Sequence, residues 1–251
     1  MSRERLVAFL DEYLDAHEGS DYCPNGLQVQ GRAQVGHVVT GVSACRDLFQ
    51  RATERGAHAV LVHHGLFWRG DEQPLVGLLY RRVRLLLEAG INLLAYHLPL
   101  DRHPELGNNA LAARRFGIDS PRPFGDNDGL PIGFGGRLPT PLSAVDLAAR
   151  CQEVFGQVPL AFEGGPEAIA SVAFVSGAAE RALHTAIAEG YDAFVTGETS
   201  EWVMNVARES GIHFFAAGHY ATERLGIEAL GRHVASELGV SVEFVDVPNP
   251  V

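Results

Sequence analysis

The segment TERGAHAVLVHHG at residues 53–65 and the segment IAEGYDAFVTGET at residues 187–199 decide the fold, because they are two copies of one pattern. In each, a helix-like polar stretch closes on glycine, a short apolar run follows, and the run ends in polar residues. The shared glycine is Gly56 in one copy and Gly190 in the other, a shift of 134 positions that pairs strand with strand and sets His64 opposite Glu198. Downstream, GINLLAYHLPLD (90–101) matches GIHFFAAGHYATE (211–223) with one residue inserted in the second copy. Each copy then closes on a histidine, three residues and an acid, His97 with Asp101 and His219 with Glu223. A repeat of this kind predicts an α/β fold of two related halves with a pseudo-two-fold internal repeat. It would carry the strand ends, and a metal site with them, to a cleft between the halves, since α/β proteins bind ligands at strand carboxyl ends.

Outward from the repeat, apolar spacing predicts a helix over 3–17, a loop through GSDYCPNGLQVQG (19–31), a strand over 37–43 and a helix over 45–55. A strand ending at His64, a helix over 75–89 and a strand INLLAYH (91–97) follow. The stretch SPRPFGDNDGLPIGFGGRLPTP is dense in Pro and Gly and reads as a connection. The expected division is therefore a first α/β half over 1–120 carrying HH and HxxxD, a connection over 121–141, and a second half over 142–251 carrying TGE and HxxxE. The chain ends have room to cross from one half to the other.

With 46% hydrophobic residues in a chain of 251, there is enough apolar material for sizeable cores. No apolar run reaches the roughly 18 residues of a membrane span, and the charged start SRERLVAFLDEYLDAH lacks a signal-peptide core, so a soluble cytoplasmic protein is expected. The three cysteines are far apart and form no CxxC pair, which indicates neither a disulfide framework nor a thiolate zinc site. All 20 basic residues of the Lys/Arg type are arginines, which excludes Schiff-base and P-loop lysine chemistry. The net charge of −11 gives no strong nucleic-acid signal, and the one basic cluster, RRVR at 81–84, reads as a solvated helix face.

Imidazole and carboxylate donors together suit zinc, manganese or ferrous iron, and the lack of nearby thiols or thioethers disfavours copper(I). His63 and His64 are adjacent, and successive strand side chains point to opposite faces, so they fit two neighbouring ions better than one unless Gly65 bends the chain. His219 and Glu223 share a face if they lie on a helix, whereas Pro99 forbids a plain helix over 97–101. Bland readings stand beside these. The paired histidines could be strand-end residues satisfied by backbone groups, Asp101 could cap a helix starting near Asn108, and Glu223 could be a first-turn acid. Recurrence at matched places in two copies favours the metal reading. Glu198 remains either a catalytic base or a buried hydrogen-bonding acid. The other histidines, His213 among them, read as surface or packing residues.

DYCPNGLQVQG, AVLVHHGLFW, HLPLDRHPELGNN, AFVTGE and GHYATERLGI, in this order, resemble the bacterial YbgI-type members of the NGG-interacting-factor-like family, also called GTP cyclohydrolase I type 2 homologs. The resemblance runs from near residue 20 to PNP at 248–250. It implies two α/β domains, a dinuclear metal centre and a hexameric toroid. By position it makes His63, His64, Asp101, His219 and Glu223 the ligands of two divalent ions (Fe, Mn or Zn), with His97 close by. Longer relatives carry an extra domain for which the connection here is too short, and Tyr220 stands where some relatives have another histidine. From the site, the expected function is a metal-dependent hydrolase of a nucleotide, phosphoester or amide, with Glu198 and His97 as proton carriers. A metal storage, sensing or delivery protein and a di-iron redox protein are the alternatives.

Overall fold

The computed structural model describes residues 1–71 and 74–251. The chain opens with α1 (Arg3–Tyr13), β1 (Gly26–Val29), β2 (His37–Ser43), α2 (Arg46–Glu54), β3 (Ala59–His64), α3 (Gly77–Ala89) and β4 (Asn92–Ala95). Next come α4 (Leu98–Arg102), α5 (Asn108–Arg115), β5 (Arg122–Phe124), β6 (Gly133–Leu142), α6 (Ala144–Phe155), β7 (Leu160–Phe162) and β8 (Ile169–Phe174). A 3-10 turn over Glu180–Ala182 leads into α7 (Leu183–Ala188), followed by β9 (Ala193–Thr196), α8 (Val203–Ser210), β10 (His213–Ala216) and α9 (His219–Thr222). The chain closes with α10 (Arg224–Leu238) and β11 (Ser241–Phe244). It divides into two compact units, Met1–Leu100 with Ile227–Val247, and Asp101–Gly226 with Pro248–Val251.

The first unit is built on a sheet of order β1-β4-β3-β2-β11, in which β1 alone runs antiparallel to its neighbour. Strands β2, β3 and β4 are buried almost throughout, as parallel strands covered on both faces are. Leu48, Phe49 and Ala52 of α2 and Val83 and Leu86 of α3 share a core with Val39, Val60, Val62 and Leu93 of the sheet.

The second unit is built on a sheet of order β5-β6-β8-β9-β10-β7. Its run β7-β10-β9-β8 repeats β1-β4-β3-β2 strand for strand, with the same directions. The register repeats as well. Val38 lies beside Ala59 in one sheet and Val172 beside Ala193 in the other, each pair displaced by the 134 positions read from the sequence. The glycines that close the helices are left-handed in both copies, with φ of 65° and 74° at Gly56 and Gly190, and 63° and 72° at Gly90 and Gly211. The copies differ on the outer side of β2 and β8, where one takes β11 and the other takes the antiparallel pair β6 and β5.

Several expectations need correction. The segment 121–141 is not a bare connection, because it supplies β5 and most of β6 to the second sheet. Pro139 and Pro141 sit where the β6–β8 register breaks between Arg137 and Leu142, so their missing N–H groups remove no ladder bond from a regular stretch. The units meet in sequence at Leu100/Asp101 and not near 120, while residues 227–247 belong to the first unit and 248–251 to the second, a crossing for which the sequence left room. The loop expected over 19–31 contains β1, an edge strand too short to show a period. Helix α1 stops at Tyr13 because Asp15 takes a φ of 49°. Pro99 lies in the first turn of α4, where no intrahelical donor is needed, so it permits the helix. Among the described residues, no helix is long and apolar enough to cross a membrane.

Candidate functional site

In the first unit, the ends of β3 and β4 bring three histidines together. Ligand atoms of His63, His64 and His97 all lie within 4.8 Å of one another. His63 is fully buried, and its Nδ1 donates to the Tyr96 carbonyl at 3.1 Å. A carbonyl only accepts, so Nδ1 carries the proton and Nε2 is the nitrogen that could hold a metal. His64 Nδ1 lies 3.0 Å from Oγ of Ser43, its cross-strand neighbour on β2. The rings of His63 and His64 have centroids 4.7 Å apart, so they do not diverge as a regular strand would make them. The strand ends at His64, and a Cβ on the next residue, Gly65, would strike the Gln28 amide. That amide in turn bonds Leu66 N and the Pro24 carbonyl, which fixes the turn.

His97 is held by Asp21. Its Nδ1 lies 2.7 Å from Asp21 Oδ1, and its backbone N–H donates to Asn25 Oδ1 at 2.8 Å. Asp21 also accepts from the backbone N–H groups of Cys23 and Leu98 and from the Asn25 amide. Burial raises the Asp21 carboxyl, but the His97 imidazole and these donors outweigh it and hold the group at about 2.

In the second unit, His219 starts α9 and Glu223 caps it. His219 Nε2 lies 3.2 Å from Glu223 Oε2, and His219 Nδ1 lies 2.5 Å from Glu198 Oε1, just past β9. Burial lowers the His219 imidazole, but the Glu223 and Glu198 carboxylates outweigh it and raise the group to about 9. Glu223 is nearly buried, and it packs so closely on Gly177 that a Cβ there would strike Oε1. Asp101, also nearly buried, accepts on Oδ1 from Asn108 Nδ2 and Ser176 Oγ, each at 2.8 Å. Ligand oxygens of Asp101 and Glu223 lie within 4.8 Å of each other.

This donor set fits divalent metal. Two carboxylates so buried and so close favour a cation beside them, whether His219 or a metal ion. Each of the four histidines is anchored through Nδ1, on a carbonyl, a hydroxyl or a carboxylate, as ligating histidines are. The residues that do the anchoring were missed in the sequence, namely Asp21, Ser43, Asn25, Asn108, Asn109 and Ser176. Asn109 spans backbone groups of Asp101, Ile132 and Ser176. The signals available were the aspartate and asparagine of DYCPN and the paired asparagines after HxxxD. His213, read as a packing residue, is buried at the start of β10 with Nε2 at 2.9 Å from the Pro166 carbonyl.

The family model described as Duf34/NIF3 (NGG1p interacting factor 3) matches residues 1–250. A Pseudomonas aeruginosa protein named "GTP cyclohydrolase 1 type 2 homolog" is 45% identical over 245 residues, covering 98% of this chain and 97% of that protein. An Escherichia coli K12 protein of the same name is 42% identical over the full length of both. Among solved structures, "protein ybgI, unknown function" matches with a TM-score of 0.94 at 42% identity, and a Thermus thermophilus protein, TTHA1606, with 0.89 at 38%, each over the full length of both chains.

Proposed function

Since the chain belongs to the Duf34/NIF3 family, we propose that it is a cytoplasmic, metal-dependent hydrolase that binds two divalent ions through His63, His64, Asp101, His219 and Glu223. The observation that carries the metal reading is the anchoring of every candidate histidine through Nδ1, beside buried carboxylates. Iron, manganese and zinc suit these donors. If divalent ions were held there, they would supply Lewis acidity for hydrolysis of a phosphoryl or acyl group. The chain's own part is orientation and proton handling. Asp21 and Glu198 fix the two imidazoles of the HxxxD and HxxxE motifs, and Glu198, 37% exposed at its side chain, is placed to exchange protons with solvent. In the first unit, His97 is the proposed proton carrier.

The relatives' name makes a nucleotide the first substrate to try, followed by phosphodiesters and peptides. Protein of defined metal content should turn over a member of that panel, and turnover should vanish in His64→Ala and Glu223→Gln but persist in Arg84→Ala, whose side chain pairs with Glu88 on the surface of α3. Turnover that survives loss of the ligands would remove the hydrolase reading.

A further inference from the structure

Beside the three histidines of the first unit lies a hollow of about 600 Å³ that the metal reading does not use. The 21–25 loop and the 67–71 loop form its walls, and three of the side chains lining it are aromatic, Tyr22, Phe67 and Trp68. Trp68 belongs to both places. Its ring packs against His97 with centroids 5.1 Å apart, edge to face, and against His64 at 5.7 Å. Its Nε1 donates to the Gly65 carbonyl at 3.2 Å and its backbone N–H to Asp71 Oδ2, so the indole is a fixed wall. Tyr22, 54% exposed, is a large ring turned to solvent at the rim.

The polar lining is uneven. Both oxygens of Asp21 are occupied by donors, so Asp21 serves the hollow as scaffold. Arg69 is exposed, sits 5.8 Å above the Tyr22 ring, and binds the Asp21 carbonyl through Nη2. That bond orients the exposed guanidinium at the rim. Aromatic walls take flat rings by stacking, and a guanidinium on an aromatic face takes a carboxylate or phosphate.

We propose that this hollow is the substrate pocket, taking a flat heteroaromatic ring against Trp68 and Tyr22 and an anionic substituent of that ring at Arg69. The assignment rests on the metal-dependent reading for its catalytic meaning, because Trp68 then places the bound ring beside the imidazoles of His64 and His97. Ring binding itself needs no metal, which lets the two be tested apart.

The sequence holds two tryptophans, Trp68 and Trp202, so Trp202→Phe leaves Trp68 as the sole indole reporter. Metal-free Trp202→Phe protein should show saturable quenching by AMP, weaker quenching by adenosine, and none by ribose 5-phosphate. Arg69→Ala in that background should weaken AMP about tenfold or more and leave adenosine unchanged. Trp68→Ala should weaken AMP by a similar factor, read by calorimetry on the otherwise unaltered chain, which also serves if Trp202→Phe misfolds. Metal titration of Arg69→Ala should match the unaltered protein. Absence of AMP binding by either method, or equal AMP affinity with and without Arg69, overturns the pocket. Loss of metal binding with AMP binding intact would instead strike the metal reading and leave the pocket standing.

Discussion

Glu223 and His97 occupy matching motifs in the two copies, yet the chain holds them differently. Glu223 has two oxygens, lies within ligand distance of both His219 and Asp101, and is nearly buried. His97 offers one nitrogen and is tied through the other to Asp21. Glu223→Gln removes a negative charge that would offset the two proposed dications and should cost at least one metal per chain. His97→Ala should keep both ions and weaken one by about 10- to 100-fold, as loss of a supporting partner does. Calorimetric metal titration, with circular dichroism to confirm folding, decides this, and the opposite ranking would reverse the two roles. Asp21 gives a prediction in acid. Its folded value of about 2 lies below the ordinary 3.8, so its stabilising contribution is present above about pH 4 and is lost as pH falls toward 2. The metal-free Asp21→Asn variant should melt below the parent at pH 6, and the gap should close toward pH 2. A gap that stays constant would mean that the ionised carboxylate is not what stabilises the loop. At this scale the sequence displayed the candidate ligands but not the groups that aim them. Asp21 and His97 are 76 positions apart, and no periodicity links them.

The elements around the second copy of the motif depend on one backbone position. Gly177, at φ 70°, follows β8, and its carbonyl accepts from Gly197 N, Glu198 N and Thr196 Oγ1 while its N–H donates to Thr222 Oγ1. It therefore ties the end of β9 to α9 and lies against Glu223. Gly177→Ala should displace Glu223 and lose metal. Gly190→Ala, at φ 74° with nothing within 4 Å of the added carbon, should cost only the roughly 1–2 kcal/mol of left-handed backbone and keep its metal. Paired melting curves and metal analyses check this, and equal metal content in both variants would contradict it. The strands and helices of the repeat were legible because each carries a strong apolar period, and β2, β3 and α2 fall within a residue of their expected bounds. Strands β1, β5 and β6 were not: β1 and β5 are edge strands of four and three residues, too short to show a period, and the Gly and Pro of GFGGRLPTPL mask the pattern of β6, which lies between β5 and β8.

For the whole molecule, the strand order and register bear out two related α/β halves, while the boundary at Leu100/Asp101 escaped the sequence because it falls inside α4 and not in a loop; residues 227–247 make the crossing for which the sequence left room, returning to the first unit by way of β11. That return is long-range in sequence and leaves no local signal. Assembly as a homohexamer is proposed from the resemblance to the family. Light scattering at micromolar concentration should give six times the chain mass, and a monomer would contradict it.

Metal content tests the proposed two-metal site most directly. Untagged protein, stripped and then reconstituted separately with Fe(II), Mn(II) and Zn(II), should hold about two ions per chain by elemental analysis with at least one of them. That stoichiometry should fall in both His64→Ala, from the first unit, and Glu223→Gln, from the second. A value of one or fewer with every metal, or a value of two indifferent to both substitutions, would contradict the assignment of these residues as the ligands of a two-metal protein.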